Sequence, residues 1–306
     1  MGKFLNLVGG SVLAISAAVG AAQAADMPLK AKAPPPPPVA SWTGWYVGLN
    51  AGGIWPNDNG IAHTAIAGPC DPAFAGCTLA NASTLLANGS SFSSGFGNNV
   101  GFTGGGQLGY NWQFNGSGVA GFEADIAWTD QNRSVTFASV TPFPGFPGSS
   151  QAYAATISRH LDYIGTVRGR LGFLATPSFL LYGTGGLAYG GARSSTIETA
   201  SIINCGATCA GVGGGSFSET RVGWTAGAGG EWMFAPNWSA KLEGLYYDLG
   251  RVNYATSLQQ VCTSAGCALV GGIIGSTTGV TSLRFTGAIA RVGVNYHFGG
   301  PVVASY

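Results

Sequence analysis

Charge is what this sequence has least of. Lys, Arg, Asp and Glu make up 8% of its 306 residues, about a third of the share in a typical soluble domain. A soluble chain covers its surface with charge, so a globule surrounded by water is disfavoured. Long hydrophobic runs are also missing. After residue 25 no stretch holds eighteen consecutive apolar residues, which argues against crossing a membrane as helices. The charges that exist nearly cancel, 13 basic against 12 acidic, so nothing points to nucleic acid or to an acidic substrate. What is abundant is glycine, with 52 residues. Glycine weakens helices and suits bulged, closely packed strands.

The N-terminus explains the compartment. Lys3 precedes an apolar run from Leu5 to Ala22, and Ala22-Gln23-Ala24 is an A-x-A cleavage site. Residues 1–24 therefore read as a secretory signal peptide, with Ala25 as the mature start. Residues 25–41 contain Pro34 to Pro38 and read as a semi-rigid periplasmic tether.

From Trp45 onward the hydrophobic pattern has period two, the signature of strands with one face in lipid and one in a lumen. Trp45, Val47 and Leu49 share one face of the first strand. Leu108, Tyr110, Trp112 and Phe114 point outward in the second, and Phe122, Ala124, Ile126 and Trp128 in the third. In the fourth, Leu161, Tyr163, Val167, Leu171 and Phe173 alternate with Asp162, Thr166, Arg168 and Arg170. The fifth, about 179–194, is too glycine-rich for its faces to be assigned. Val222, Trp224, Trp232 and Phe234 mark the outer face of the sixth. Trp238, Leu242 and Tyr246 do so in the seventh, and Val292, Val294, Tyr296 and Phe298 in the eighth.

The connections alternate in length. Short turns fall near residues 116, 177 and 236, and long segments at about 56–99, 129–158, 195–218 and 252–282. An outer-membrane barrel has short periplasmic turns and long extracellular loops. The expected fold is thus all-β: an eight-stranded antiparallel up-and-down transmembrane β-barrel over residues 42–298, with a tail at 299–306. An aromatic girdle is expected from Trp45, Trp112, Trp128, Trp224, Trp232, Trp238, Tyr296 and Phe298. Such rings sit where lipid meets headgroup.

Trp42, Trp45-Tyr46-Val47-Gly48 and the ending Arg291-Val292-Gly293-Val294-Asn295-Tyr296-His297-Phe298 resemble the outer-membrane immunogenic proteins of alphaproteobacteria. These group with opacity-type and OmpA-type small barrels. The resemblance covers roughly residues 42–298. It implies surface exposure, envelope stabilisation and, in some members, host contact or weak pore activity. Family barrels commonly end on an aromatic read by the assembly machinery. Here Gly299 to Tyr306 follow Phe298, so either Phe298 or Tyr306 serves as that signal.

Six cysteines fall as close pairs within expected extracellular loops: Cys70 with Cys77, Cys205 with Cys209, and Cys262 with Cys267. An oxidising compartment makes disulfides the direct reading, and locality favours this pairing among the fifteen possible. Metal binding is disfavoured, because no histidines neighbour them. The lumen is expected to hold Glu123, Asp125, Asp162, Glu231 and Glu243 with Arg168, Arg170, Arg221, Lys241 and Arg291. Eight strands leave a bore just wide enough for side chains, and charges there must pair, since an unpaired buried ion costs several kcal/mol. Ser158, His160 and Asp162 share a face, but their spacing along a strand is too wide for a direct proton relay.

The function expected is therefore non-enzymatic, without cofactor or metal: a barrel supporting the envelope and displaying its loops. The alternative is a narrow pore lined by the charged residues. A third use is capture of a ligand such as haem by the loops. Expected partners are outer-membrane lipid, the barrel-assembly machinery and host or envelope molecules.

Overall fold

The structure, a computed structural model, describes residues 41–57, 60–70, 82–97, 99–142, 147–203, 209–262 and 272–298. The expected signal peptide (1–24), the expected tether apart from Ser41 and the tail at 299–306 lie outside these residues. Ten strands and one helix are described. They run in the order β1 (Gly44–Pro56), β2 (Ile61–Ala67), α1 (Ala82–Ser90), β3 (Phe92–Ser94), β4 (Gly101–Phe114), β5 (Gly118–Pro142), β6 (Ser150–Thr176), β7 (Phe179–Ile203), β8 (Cys209–Ala235), β9 (Trp238–Cys262) and β10 (Ile273–His297).

Eight of these strands close a ring. The ladder runs β1-β4-β5-β6-β7-β8-β9-β10, every neighbour antiparallel, and β10 returns to β1 from Tyr46↔His297 to Pro56↔Gly287. Over the lower wall, closure leaves no unpaired edge, which is what a sheet in lipid requires. At the first turn Asn115 and Gly116 both take positive φ, 48° and 74°, the conformation a tight hairpin needs.

The outer wall is apolar. Leu49, Leu108, Ile126, Val167, Leu171, Leu187, Val222, Leu242 and Val292 all stand exposed. The girdle divides into two belts. Trp45, Trp112, Trp232, Trp238, Tyr296 and Phe298 lie near the periplasmic strand ends. Trp128 and Trp224 lie about ten residues higher with Trp55 and Phe102, and all of these rings are exposed.

Strands β5 to β10 are longer than the sequence pattern suggested, at 25 to 27 residues each. At about 3.3 Å per residue and a tilt near 40° they rise roughly 65 Å, well beyond an apolar band of about 25 Å. Much of what reads as loop at 129–158, 195–218 and 252–282 is therefore barrel wall above the membrane. Its alternating Ser, Thr, Gly and Ala residues keep period two without the large apolar side chains that lipid demands. The first long connection is also structured. β2 takes over the β10 edge above the end of β1, from Ala67↔Thr277 to Ala62↔Ser282, and β3 pairs with β2. α1 packs on the interior of this upper wall, where Leu86 clusters with Tyr153, Ala155, Ala200 and Leu258.

β7, whose faces the sequence left open, carries Leu180, Tyr182, Thr184 and Ala188 inward and Leu181 and Leu187 outward.

Candidate functional site

Alternation along each strand delivers the charged residues to the lumen. Glu123 faces Arg168 across the β5–β6 ladder, Glu231 faces Lys241 across β8–β9, and Glu243 faces Arg291 across β9–β10. Opposite charges at directly opposed positions stabilise a sheet pair. Because the ring closes on itself, they also meet across the bore.

Glu123 is the hub. Its Oε1 accepts from Arg168 Nη2 (2.5 Å) and Lys241 Nζ (2.8 Å), and its Oε2 from the Tyr46 hydroxyl (2.7 Å). Arg168 also donates to Asp125 (2.8 Å), Glu243 (3.0 Å) and the Thr166 hydroxyl (2.8 Å). Arg291 donates to Asp125 Oδ2 (2.9 Å) and to Glu243 Oε2 (2.7 Å). Arg170 reaches Glu231 (2.7 Å) and lies over the Tyr182 ring, 3.9 Å from its centroid. Four carboxylates thus meet four cations, all buried. Each ion costs several kcal/mol to dehydrate, and only paired, multiply hydrogen-bonded geometry offsets that.

Apolar and amide layers close the bore on both sides of the network. Below it, Trp42 is fully buried with Val119, Leu180, Tyr182 and Met233, and its indole N–H donates to the Pro177 carbonyl (3.1 Å). Toward the β1 side, Asn50 donates to Gln107 (3.1 Å), which donates to Asn295 (2.5 Å). Above, Ile54, Leu161, Ile164, Leu245, Tyr247, Leu249, Leu283, Phe285 and Ile289 form an apolar cluster across the interior.

Two of the ten expected lumen charges lie outside this network. Asp162 stands on the outer wall in an exposed ion pair with Arg193 (2.8 Å). β6 carries a bulge between Leu161 and Ile164, and one extra residue transfers every side chain beyond it to the other face. Leu161, expected outward, is buried inside for the same reason. Ser158, His160 and Asp162 consequently share an outer face rather than a lumen rim. Arg221, on the same β8 face as Thr225 and Glu231, makes no ion pair with the network; it lies where the β8–β9 ladder is interrupted between Gly214 and Trp224. There its Nη2 donates to the Arg251 carbonyl (3.2 Å), bridging the two strands.

The local cysteine pairing is also corrected. Cys209 is bonded to Cys262, so neither Cys205–Cys209 nor Cys262–Cys267 forms. Beyond the interruption β8 and β9 pair again, from Gly214↔Ser257 to their extracellular tips, where Cys209 and Cys262 oppose each other. Nearness in sequence was outweighed by nearness across the sheet. Cys70 is disulfide-bonded too; Cys77, Cys205 and Cys267 lie outside the described residues.

The sequence reading missed Tyr46 and Tyr182 as hydroxyl donors to the network and Trp42 as its base. Tyr46 shares a face with Asn50, which was the available signal. A second polar cluster sits inside the upper wall, where His63 Nδ1 meets the Thr281 hydroxyl (2.9 Å) and Nε2 faces Glu198 at 3.4 Å. Burial lowers the His63 pKa to about 4 and raises that of Glu198.

Residues 11–298 match the family described as outer membrane protein beta-barrel domain. The chain belongs to that family. It is 39% identical over 153 residues to the 31 kDa outer-membrane immunogenic protein of Brucella melitensis, covering 50% of this chain and 56% of that protein. It is 30% identical over 152 residues to the 22 kDa outer membrane protein of Rhizobium leguminosarum bv. viciae, covering 49% and 54%. The chain thus spans about half the length of the curated relatives it matches. Among solved structures, the outer membrane protein OprG from Pseudomonas aeruginosa covers 85% of this chain and 100% of its own at 12% identity, with a TM-score of 0.35. The protein is an outer-membrane β-barrel located in the cell outer membrane.

Proposed function

We propose that this barrel is a closed, non-enzymatic anchor that stabilises the envelope and presents its upper wall and loops to the outside. The observation that carries the reading is the charge-balanced network around Glu123, stacked between an apolar layer at Trp42 and another at Phe285. A conducting bore needs a continuous wet path, and this interior is filled by paired charges between apolar layers. The same pairing leaves none of the four network carboxylates free to act as a general base, which supports the non-enzymatic reading. The long wall above the membrane favours display, since it carries the loops far from the lipid surface.

A strain lacking the protein should become more sensitive to detergent, and the wild-type gene should restore resistance. Antibodies raised against the β5–β6 and β7–β8 tips should label intact cells. Unchanged detergent sensitivity together with unlabelled cells would overturn the proposal.

A further inference from the structure

Outward-facing charge is scarce on this wall, yet two arginines oppose each other on it. Arg251 and Arg284 are directly paired across the β9–β10 ladder, an arrangement that like charges destabilise. Arg284 is held by Asp248, through Nε at 3.3 Å to Oδ1 and through Nη2 to Oδ2. Among the described residues the Arg251 guanidinium has no ion-pair partner. Arg221 donates to the Arg251 carbonyl, and the Asp248 carboxylate is taken up by Arg284. Both outward arginines border a cleft of about 330 Å³ between β2, β3, β9 and β10. Ser93 and Ser282 add hydroxyls and Gly60 and Ile61 close the far side; no carboxylate lines it.

Height decides what this cleft meets. Arg251 is thirteen residues above the start of β9 at Trp238, and Arg284 thirteen above the end of β10 at His297. At about 3.3 Å per residue and a 40° tilt, that is roughly 33 Å from the periplasmic strand ends, just past an apolar band of about 25 Å. The upper aromatic belt lies immediately below: Trp55 pairs with Ala288, which pairs with Tyr246, and Tyr246 packs on Trp224 with ring centroids 5.5 Å apart. Between Trp55 and Tyr246, the small outward residues Ala288, Ala290 and Gly244 leave a shallow apolar trough. The arginines therefore sit at the headgroup level of the outer leaflet, with room for an acyl chain beneath.

We infer that Arg251 and Arg284 form a binding site for the anionic headgroup, a phosphate or equivalent, of an outer-leaflet glycolipid. Guanidinium forks match phosphate oxygens in two-point contacts, and an anion there relieves the Arg–Arg opposition. The site is on the lipid face, so it does not depend on whether the lumen conducts.

The test uses the refolded mature barrel in a zwitterionic detergent, with bound lipid counted by native mass spectrometry. The probes are diphosphorylated lipid A and the same lipid A with its phosphates removed. Charge-assisted contacts predict at least a roughly tenfold preference for the phosphorylated form. Arg251→Gln should weaken that preference and Arg251→Gln with Arg284→Gln should abolish it. Arg193→Gln, at an exposed ion pair elsewhere on the upper wall, should leave it intact. Folding of each variant is checked by heat-modifiable migration in gels. No preference in the wild type, or a preference surviving in the folded double variant, would overturn the proposal. Displacement of the lipid by millimolar inorganic phosphate would overturn it in favour of a soluble-anion site.

Discussion

Lys241 spans the lumen to Glu123, its Nζ 2.8 and 2.9 Å from the two carboxylate oxygens, although β5 and β9 are not neighbours in the wall. The contact ties opposite sides of the barrel together. Glu123→Ala would leave Lys241 and Arg168 short of their shared partner. Breaking a buried pair from one side costs about 3–5 kcal/mol. Asp162→Ala, which loses only an exposed pair with Arg193, should cost no more than about 1 kcal/mol. Urea unfolding of the refolded barrels in lipid vesicles measures both. Equal losses would mean the network adds little beyond surface pairing.

The β6 bulge makes a second claim measurable. On intact cells, Asp162→Cys should react with a membrane-impermeant maleimide, because residue 162 lies outside and above the upper belt. Thr166→Cys, four residues along the same strand and buried inside, should not. Strict alternation puts both residues in the lumen, so protection of both would restore that reading and exclude the bulge.

Peptide mapping without reduction should recover Cys209 linked to Cys262. The crosslink closes a 53-residue separation, worth on the order of 4 kcal/mol in chain entropy at most. Reduction should loosen the β8–β9 tip, seen as faster hydrogen exchange there, while the lumen network keeps its protection. A peptide joining Cys205 to Cys209 would contradict the structure.

His63 offers a pH test outside the membrane. Burial lowers its pKa from 6.5 to about 4, so the folded state holds it neutral. The stability it contributes is present above about pH 6.5 and is lost as pH falls toward 4. Glu198, whose pKa is raised, acts in the opposite sense, holding its proton more tightly when folded. In Glu198→Gln only the histidine side remains, and deuterium uptake across β2 should rise steadily from pH 6.5 to 4. A flat profile in that variant would show that His63 does not couple to the β2 seat.

The eight-stranded ring, the turn positions and eight of the ten lumen charges were legible in the sequence. Large apolar residues and charges alternate strictly where one face meets lipid. Legibility ended where that contrast faded. Above the membrane, runs such as Ser194-Ser195-Thr196-Ile197 carry period two without marking which face is wet, so wall read as loop. A bulge leaves no residue type behind: nothing in Leu161-Asp162-Tyr163-Ile164 announces the extra residue that turned Asp162 outward. The Cys209–Cys262 bond was hidden for a related reason, because it depends on ladder register over a long hairpin rather than on spacing along the chain.

The central claim is that the buried network around Glu123 closes the lumen, and single-channel recording of the refolded mature barrel in a planar bilayer tests it most directly. The account predicts silence from the wild-type protein, with folding verified by β-type circular dichroism, and discrete openings once Arg168→Ala breaks the network. Regular openings in the wild type whose size and selectivity are unchanged by Arg168→Ala would contradict it.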